Sequence, residues 1–130
     1  MKSQETKVFI VDDEPLLTEM LSDYLQDQTE ADSFNIQSFA TGEACINSLE
    51  DNPDIIVLDY YLNSKERDAA NGLDILKAIK DKSKSLPVIM LSSQKSYATA
   101  AQTIQNGAVH YVLKGKNAFQ EIYEIIKANI

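Results

Sequence analysis

The chain has 130 residues, a length typical of one domain, so we expect a single domain over residues 1–130 with one hydrophobic core. The 12 Lys and Arg residues against 20 Asp and Glu residues give a net charge of −8, which argues against a surface for nucleic acid or anionic lipid. Hydrophobic residues make up 44% of the chain, which excludes a disordered or collagen-like protein.

Cys45 is the single cysteine, so neither an intrachain disulfide nor a cysteine-rich zinc site can form. This composition favours the reduced environment of the cytoplasm. The apolar segments are too short for a signal-peptide core or a membrane span, and we therefore expect no membrane association.

Five short segments have the composition of strands: residues 8–11, 34–39, 55–58, 88–91 and 109–113. Continuous apolarity in the first, third and fourth of them predicts burial on both faces of a parallel sheet. The second alternates apolar and polar residues, and the fifth is interrupted by His110, as expected of edge strands.

Segments with helical spacing separate these strands. Apolar residues repeat in this way at Leu17, Met20, Leu21 and Tyr24, again around Leu73, Leu76 and Ile79, and again at Phe119, Ile122, Tyr123 and Ile126. The fourth predicted helix, 97–104, carries little apolar bulk, so we expect it to be weakly anchored.

Alternation of strand and helix implies right-handed crossovers and a parallel sheet. Five units are too few for a barrel, so the predicted class is α/β, an open doubly wound sheet of five strands with five helices. With the second and fifth strands at the edges, the strand order becomes 2-1-3-4-5, as in flavodoxin-like folds.

Chemically useful side chains follow four of the predicted strands. Asp12 and Asp13 come after the first strand, Asp59 after the third, Ser92 after the fourth and Lys114 after the fifth. The carboxyl ends of parallel strands share one edge of the sheet, and ligands of such folds bind there. These side chains are therefore expected to converge.

Three neighbouring carboxylates repel one another unless a cation lies among them, and an all-oxygen ligand set favours Mg²⁺. A carboxylate such as Asp59 can attack a phosphoryl group and form an aspartyl phosphate. Lys114 would neutralise the transferred charge, and the hydroxyl of Ser92 would donate to a phosphoryl oxygen. Taken together, the residues predict a phosphoryl-acceptor site.

Each of these residues also has a purely structural interpretation. Asp12 or Asp13 before Glu14 and Pro15 suits a turn former or a helix N-cap, Ser92 suits a cap, and a lone lysine is usually a surface residue. The coincidence at four strand ends favours the functional interpretation. For Cys45 and His110 we expect packing or surface roles only.

In this order, the motifs resemble the receiver domain of two-component response regulators. The resemblance extends from Lys7 to about Lys127. It rests on Val11-Asp12-Asp13-Glu14-Pro15, on Leu58-Asp59, on Gly72, on the run from Leu86 to Ser93, and on the run from Gly107 to Lys114.

The resemblance implies specific roles. Asp59 is the phosphorylated residue. Asp12, Asp13, Asp59 and the backbone carbonyl of Tyr61 hold Mg²⁺, with Asp12 acting through water. Ser92 and Lys114 contact the phosphoryl group. Ser92 and Tyr111 form the switch, in which the tyrosine ring turns inward when the hydroxyl of Ser92 moves toward the phosphate.

Three features depart from the family pattern. Asp59 is followed by Tyr60-Tyr61 rather than Met-Pro, and Gly72 lies further along the chain than usual, which lengthens the loop beside the site. The segment 63–71 is either a flap that contacts a partner or a surface insertion. Lys114 is followed by Gly115 instead of proline, so we expect a trans bond where the family has a cis one.

The function implied is a phosphoacceptor switch of a two-component phosphorelay, not a turnover enzyme, although it supports its own phosphoryl transfer and autodephosphorylation. Its expected partners are a sensor histidine kinase or phosphotransfer protein, and a downstream effector or fused output domain. The face formed by the fourth helix, fifth strand and fifth helix would change. Direct binding of nucleic acid is not expected, and a dimer on activation is left open.

Three other functions fit the sequence less well. A Mg²⁺-dependent phosphohydrolase of the haloacid-dehalogenase type needs a second Asp two residues after the nucleophile, but Tyr61 stands there. A flavin or nucleotide binder needs a Gly-rich or Ser/Thr-rich loop after the first strand, and none is present. A degenerate receiver that acts as a constitutive binding module would not need the complete acceptor set.

Overall fold

The structure, a computed structural model, describes residues 5–28, 33–62 and 71–130. The strands are β1 (Glu5–Val11), β2 (Ser33–Phe39), β3 (Ile55–Asp59), β4 (Val88–Ser92) and β5 (His110–Leu113). The helices are α1 (Pro15–Asp27), α2 (Gly42–Asn47), α3 (Gly72–Lys82), α4 (Tyr97–Gln105) and α5 (Ala118–Ala128), and a short 3₁₀ helix (Leu49–Asp51) follows α2.

The five strands form one parallel sheet in the order β2-β1-β3-β4-β5, which confirms the predicted fold class and topology. Because β1 and β3 are neighbours while the chain leaves them in opposite directions, the topological switch point lies between their carboxyl ends. The ends of β1 and β3 are where Asp12 and Asp59 are found.

Strand β1 is longer than its apolar run suggests. The prediction began at Val8, but Glu5 already pairs with Ser33 of β2. Backbone pairing does not require apolar side chains, and Lys7 anchors this polar start through bonds to the segment before β3. Its backbone N–H donates to Oδ2 of Asp54 at 2.8 Å, and its Nζ donates to the Asp51 carbonyl at 2.8 Å.

Hydrophobic layers cover both faces of the sheet, as the continuous apolar strands predict. Alternate strand residues point to opposite faces, so Val8 and Ile10 pack with α1 and α5, while Phe9 and Val11 pack with α2 and α3. Met20 is an exception to the expected helical pattern. It is exposed, because Leu21 and Leu25 take up the face of α1 that meets the core.

Helix α4 is the least buried of the five described helices. Thr103 is its single buried residue, and Tyr97 and Ile104 are exposed. This agrees with the low apolar bulk of its sequence. Whether the helix shifts in function stays a prediction.

Local backbone features settle two further expectations. The N-cap of α1 is Glu14, with Pro15 in the first turn, so the N-cap interpretation of Asp12 and Asp13 is wrong. The described residues contain no cis peptide bond, so the Lys114–Gly115 bond is trans as predicted. Except for its last residue, the predicted flap or insertion, 63–71, lies outside the described residues.

Within the described ranges, no helix is long and apolar enough to cross a membrane.

Candidate functional site

The carboxyl ends of the strands bring the predicted residues to one edge of the sheet. Backbone hydrogen bonds continue past the strands and fix these ends. The N–H of Asp12 donates to the Phe39 carbonyl at 3.0 Å, and the N–H of Lys114 donates to the Ser92 carbonyl at 2.8 Å. The side chains that follow the strands are therefore held by the same pairing that builds the sheet.

Lys114 reaches across this edge and contacts three carboxylates. Its Nζ lies 3.4 Å from Oδ2 of Asp12, 3.4 Å from Oδ1 of Asp59 and 3.3 Å from Oε1 of Glu14. Asp12 and Asp59 are buried, whereas the Glu14 side chain is 60% exposed. One ammonium group thus serves two buried acids and one at the surface.

Burial makes ionisation of the two inner carboxyl groups unfavourable. The pKa of Asp12 is raised from 3.8 to about 6, first by burial and then by the nearby charge of Asp59. The pKa of Asp59 is also raised, with burial as the largest cause, although Lys114 opposes this effect. A single lysine does not fully compensate these two charges.

Lys114 responds in the opposite sense to its surroundings. Burial by itself lowers the pKa of its ammonium group, but the charges of Asp59, Asp12 and Glu14 outweigh that effect, and the net pKa is raised. The group is therefore protonated at neutral pH and presents a fixed positive charge at the strand ends.

The oxygen atoms at this edge fit a hard cation. Oδ2 of Asp12 is buried and, among the described residues, accepts no hydrogen bond, although Lys114 lies within ion-pair distance. Carboxylate oxygens of Asp12, Asp13 and Glu14 lie within 4.8 Å of one another. Asp59 is not part of this close group, although Lys114 contacts both Asp59 and Asp12. A Mg²⁺ ion prefers such an all-oxygen ligand set.

The backbone after β3 wraps closely around Asp59. The N–H of Tyr61 donates to Oδ1 of Asp59 at 3.3 Å, and the N–H of Gly72 donates to the Tyr60 carbonyl at 2.8 Å. A Cβ atom at Gly72 would lie 2.5 Å from the Asp59 carbonyl oxygen. Glycine at the start of α3 therefore permits this close approach.

Ser92, Gln94 and Tyr111 form a polar group beside the acidic residues. Ser92 is fully buried, and its Oγ accepts a bond from the Gln94 N–H at 3.1 Å. The hydroxyl of Tyr111 donates to the Gln94 carbonyl at 2.7 Å, and the ring is half-buried against the core. The predicted switch residues thus both contact Gln94.

Two participants were missed by the sequence analysis. The sequence pattern places Glu14 at the start of a helix, yet its carboxylate contacts Lys114, and its position directly after Asp13 is the signal that could identify it. Gln94 had no signal in the sequence. The two residues expected to have no role in the chemistry lie away from the site: Cys45 is buried in the core with its pKa raised to about 12 by burial, and His110 is exposed.

Comparison with known proteins gives one consistent family. The model of the response regulator receiver domain matches residues 8–127. The probable C4-dicarboxylate response regulator DctR of Bacillus subtilis is 30% identical over 116 residues, which cover 88% of this chain and 48% of that protein. The transcriptional regulatory protein CpxR of Escherichia coli K12 is 32% identical over 111 residues, covering 85% of this chain and 44% of that protein. The chain spans less than half the length of either relative.

Solved structures show the same fold. The receiver domain of NtrX from Brucella abortus superposes with a TM-score of 0.78 at 23% identity, covering 95% of this chain and 99% of that one. The BeF3-activated receiver domain of DrrB gives a TM-score of 0.80 at 26% identity, covering 96% of this chain and 97% of that one.

Proposed function

The chain belongs to the response regulator receiver domain family, and on that premise we propose that it is a phosphoryl-accepting signalling switch with Asp59 as the acceptor. The observation that carries the proposal is the position of Lys114, whose Nζ lies 3.4 Å from Oδ1 of the buried Asp59. A nucleophilic carboxylate with a fixed cation beside it is what transfer of a charged phosphoryl group requires.

In the proposed reaction, a carboxylate oxygen of Asp59 attacks the phosphorus of a phosphohistidine. A new O–P bond forms, the P–N bond breaks, and the imidazole nitrogen leaves with the bonding electron pair. The product is an aspartyl phosphate with about −1.5 to −2 charges. Lys114 balances part of this charge, and the hydroxyl of Ser92 donates to a phosphoryl oxygen.

Asp12, Asp13, Asp59 and the backbone carbonyl of Tyr61 are the proposed Mg²⁺ ligands. The unsatisfied Oδ2 of Asp12 and its raised pKa support a cation among these acids. When bound, Mg²⁺ would supply positive charge that stabilises the negative charge on the phosphoryl oxygens during transfer. The chain itself positions the carboxylates and holds the lysine.

Tyr111 is the proposed reporter of phosphorylation. Movement of Ser92 toward the phosphoryl group would alter the segment to which the Tyr111 hydroxyl is bonded, and with it the face formed by α4, β5 and α5. The small buried area of α4 supports its role as the element that shifts. Water then hydrolyses the acyl phosphate and resets the switch without a separate enzyme.

A sensor histidine kinase or a phosphotransfer protein is the proposed phosphodonor. The relative CpxR is a transcriptional regulator more than twice as long as the match, which supports a fused output domain or a separate effector as the receiver of the signal. We do not assign direct nucleic-acid binding to this domain. Location in the cytoplasm stays a prediction from composition.

Acetyl phosphate labelling tests the proposed function without a kinase. The chain is incubated with acetyl phosphate with and without Mg²⁺, and the product is measured by intact-mass spectrometry. We expect one phosphoryl group per chain, dependent on Mg²⁺ and removed by hydroxylamine, which cleaves acyl phosphates. No labelling would favour the degenerate receiver, and sustained turnover of a chromogenic phosphate ester would favour the phosphohydrolase.

A further inference from the structure

Gln94 connects three elements of the site through three separate hydrogen bonds. Its N–H donates to Oγ of Ser92 at 3.1 Å, its side-chain Oε1 accepts from the Tyr61 hydroxyl at 2.7 Å, and its carbonyl accepts from the Tyr111 hydroxyl at 2.7 Å. The two phenol bonds have the usual length of an O–H···O bond. Gln94 therefore links the segment after β3, the end of β4 and Tyr111 within β5.

Tyr61 is well placed to fix Gln94. Its backbone N–H is bonded to the acceptor Asp59, and its ring packs edge-on against Tyr60 with ring centroids 4.9 Å apart. Gln94 itself is exposed, so its flexible side chain would sample many rotamers without a partner. The phenol bond removes that freedom.

Holding the side chain of Gln94 also constrains the backbone that carries it. The carbonyl of the same residue is the acceptor for Tyr111, whose ring is half-buried. A restrained Gln94 presents this carbonyl in one position and so favours the docked ring. Because this acceptor is already restrained, less conformational entropy is lost when the Tyr111 hydroxyl binds it.

We propose that the Tyr61 hydroxyl is a positioning group: by donating to the Gln94 side chain, it holds the segment after Ser92 in the position in which the Tyr111 ring is docked. The inference rests on the proposed function only in treating Tyr111 as the reporter. It makes Tyr61 a second aromatic residue of the switch, tied to the acceptor at its backbone and to the reporter through Gln94.

The test uses the unphosphorylated full chain with 3-fluorotyrosine and ¹⁹F NMR, in which the signal of Tyr111 is assigned by Tyr111→Phe. Tyr61→Phe is expected to lower the docked-to-exposed ratio of Tyr111 by about 2- to 10-fold, the effect of one hydrogen bond of ordinary net strength. Tyr60→Phe is the matched control, since it removes a phenol from the neighbouring ring, and is expected to leave the ratio unchanged.

Gln94→Ala provides the second variant, because it keeps the carbonyl that binds Tyr111 and removes only the side chain held by Tyr61. We expect it to reproduce the effect of Tyr61→Phe, and the double variant to show no further loss. An unchanged Tyr111 signal in both single variants, or fully additive effects, would overturn the proposal. No phosphodonor is used, so failure of Asp59 to accept phosphate would leave this result unaffected.

Discussion

The Nζ atom of Lys114 lies 3.4 Å from Oδ1 of Asp59, although β4 separates the strands that carry the two residues. The lysine spans this distance because its side chain is long and the strand ends share one edge of the sheet. In doing so it also reaches Asp12, which belongs to β1's end on the far side of β3. The positive charge that balances Asp12 and Asp59 therefore comes from one residue, Lys114, which follows β5.

The buried carboxyl group of Asp12 leads to a prediction for pH dependence, because Lys114 does not fully offset the effect of burial on its pKa. In the folded chain, burial and then the charge of Asp59 raise the pKa of Asp12 to about 6, whereas in the unfolded chain its pKa is near 3.8. The folded state therefore binds more protons between these values, so the free energy of unfolding falls as pH rises through this window.

Asp12→Asn removes this loss. At pH 7 without metal, the variant is expected to unfold with a free energy higher than that of the unmodified chain by on the order of 1–3 kcal/mol. Below pH 4 the difference should disappear. Urea denaturation in the presence of a chelator, repeated from pH 4 to 8, measures both curves, and parallel curves would contradict the prediction.

Divalent metal should also stabilise the unmodified chain at neutral pH. Binding of Mg²⁺ to the native acids relieves their repulsion and stabilises the fold, with about 2.7 kcal/mol expected at a metal concentration 100 times the dissociation constant. The melting temperature should rise by several degrees in Mg²⁺ but not in NaCl of equal ionic strength. Asp13→Asn should weaken the rise; an equal rise in NaCl would leave no support for a specific site.

Gly72 should not tolerate a side chain. A Cβ atom there would meet the Asp59 carbonyl oxygen at 2.5 Å, and backbone cannot move aside as a flexible side chain does. Gly72→Ala is expected to lower the free energy of unfolding by about 1–3 kcal/mol, as overpacking does. Gly115→Ala is the matched control, since no atom lies within 4 Å of its Cβ position. Equal stability of the two variants in urea denaturation would refute the close approach.

The hydroxyl of Ser92 is predicted to couple Asp59 to Tyr111. With a beryllofluoride mimic bound at Asp59, the Tyr111 ring signal should change in the unmodified chain and change much less in Ser92→Ala. Ser93→Ala is the control, because Ser93 is the exposed neighbour. If Ser92→Ala shows the full change of the ring signal, then Tyr111 responds by a route that does not include this hydroxyl.

The sequence contained enough information to predict the edge at which Asp12, Asp59 and Lys114 meet. Continuous apolar strands that alternate with helices allow few topologies, and in a parallel sheet the residues after the strands must share an edge. The role of Gln94 was not predictable. It depends on loop geometry and on three hydrogen bonds, and the spacing of apolar residues along the sequence contains no information about either. The polar start of β1 was missed for a similar reason, since backbone pairing at Glu5 has no apolar signature.

Location of the phosphoryl group on Asp59 is the most direct test of the proposed function. After acetyl phosphate labelling, reduction with borohydride converts an aspartyl phosphate to homoserine, and peptide mass spectrometry then identifies the modified residue. We predict modification at Asp59, complete loss of labelling in Asp59→Asn, and full labelling in Asp23→Asn, a change at an exposed position of α1. Undiminished labelling of Asp59→Asn, or homoserine at Asp12 or Asp13 instead, would contradict the assignment of Asp59 as the acceptor.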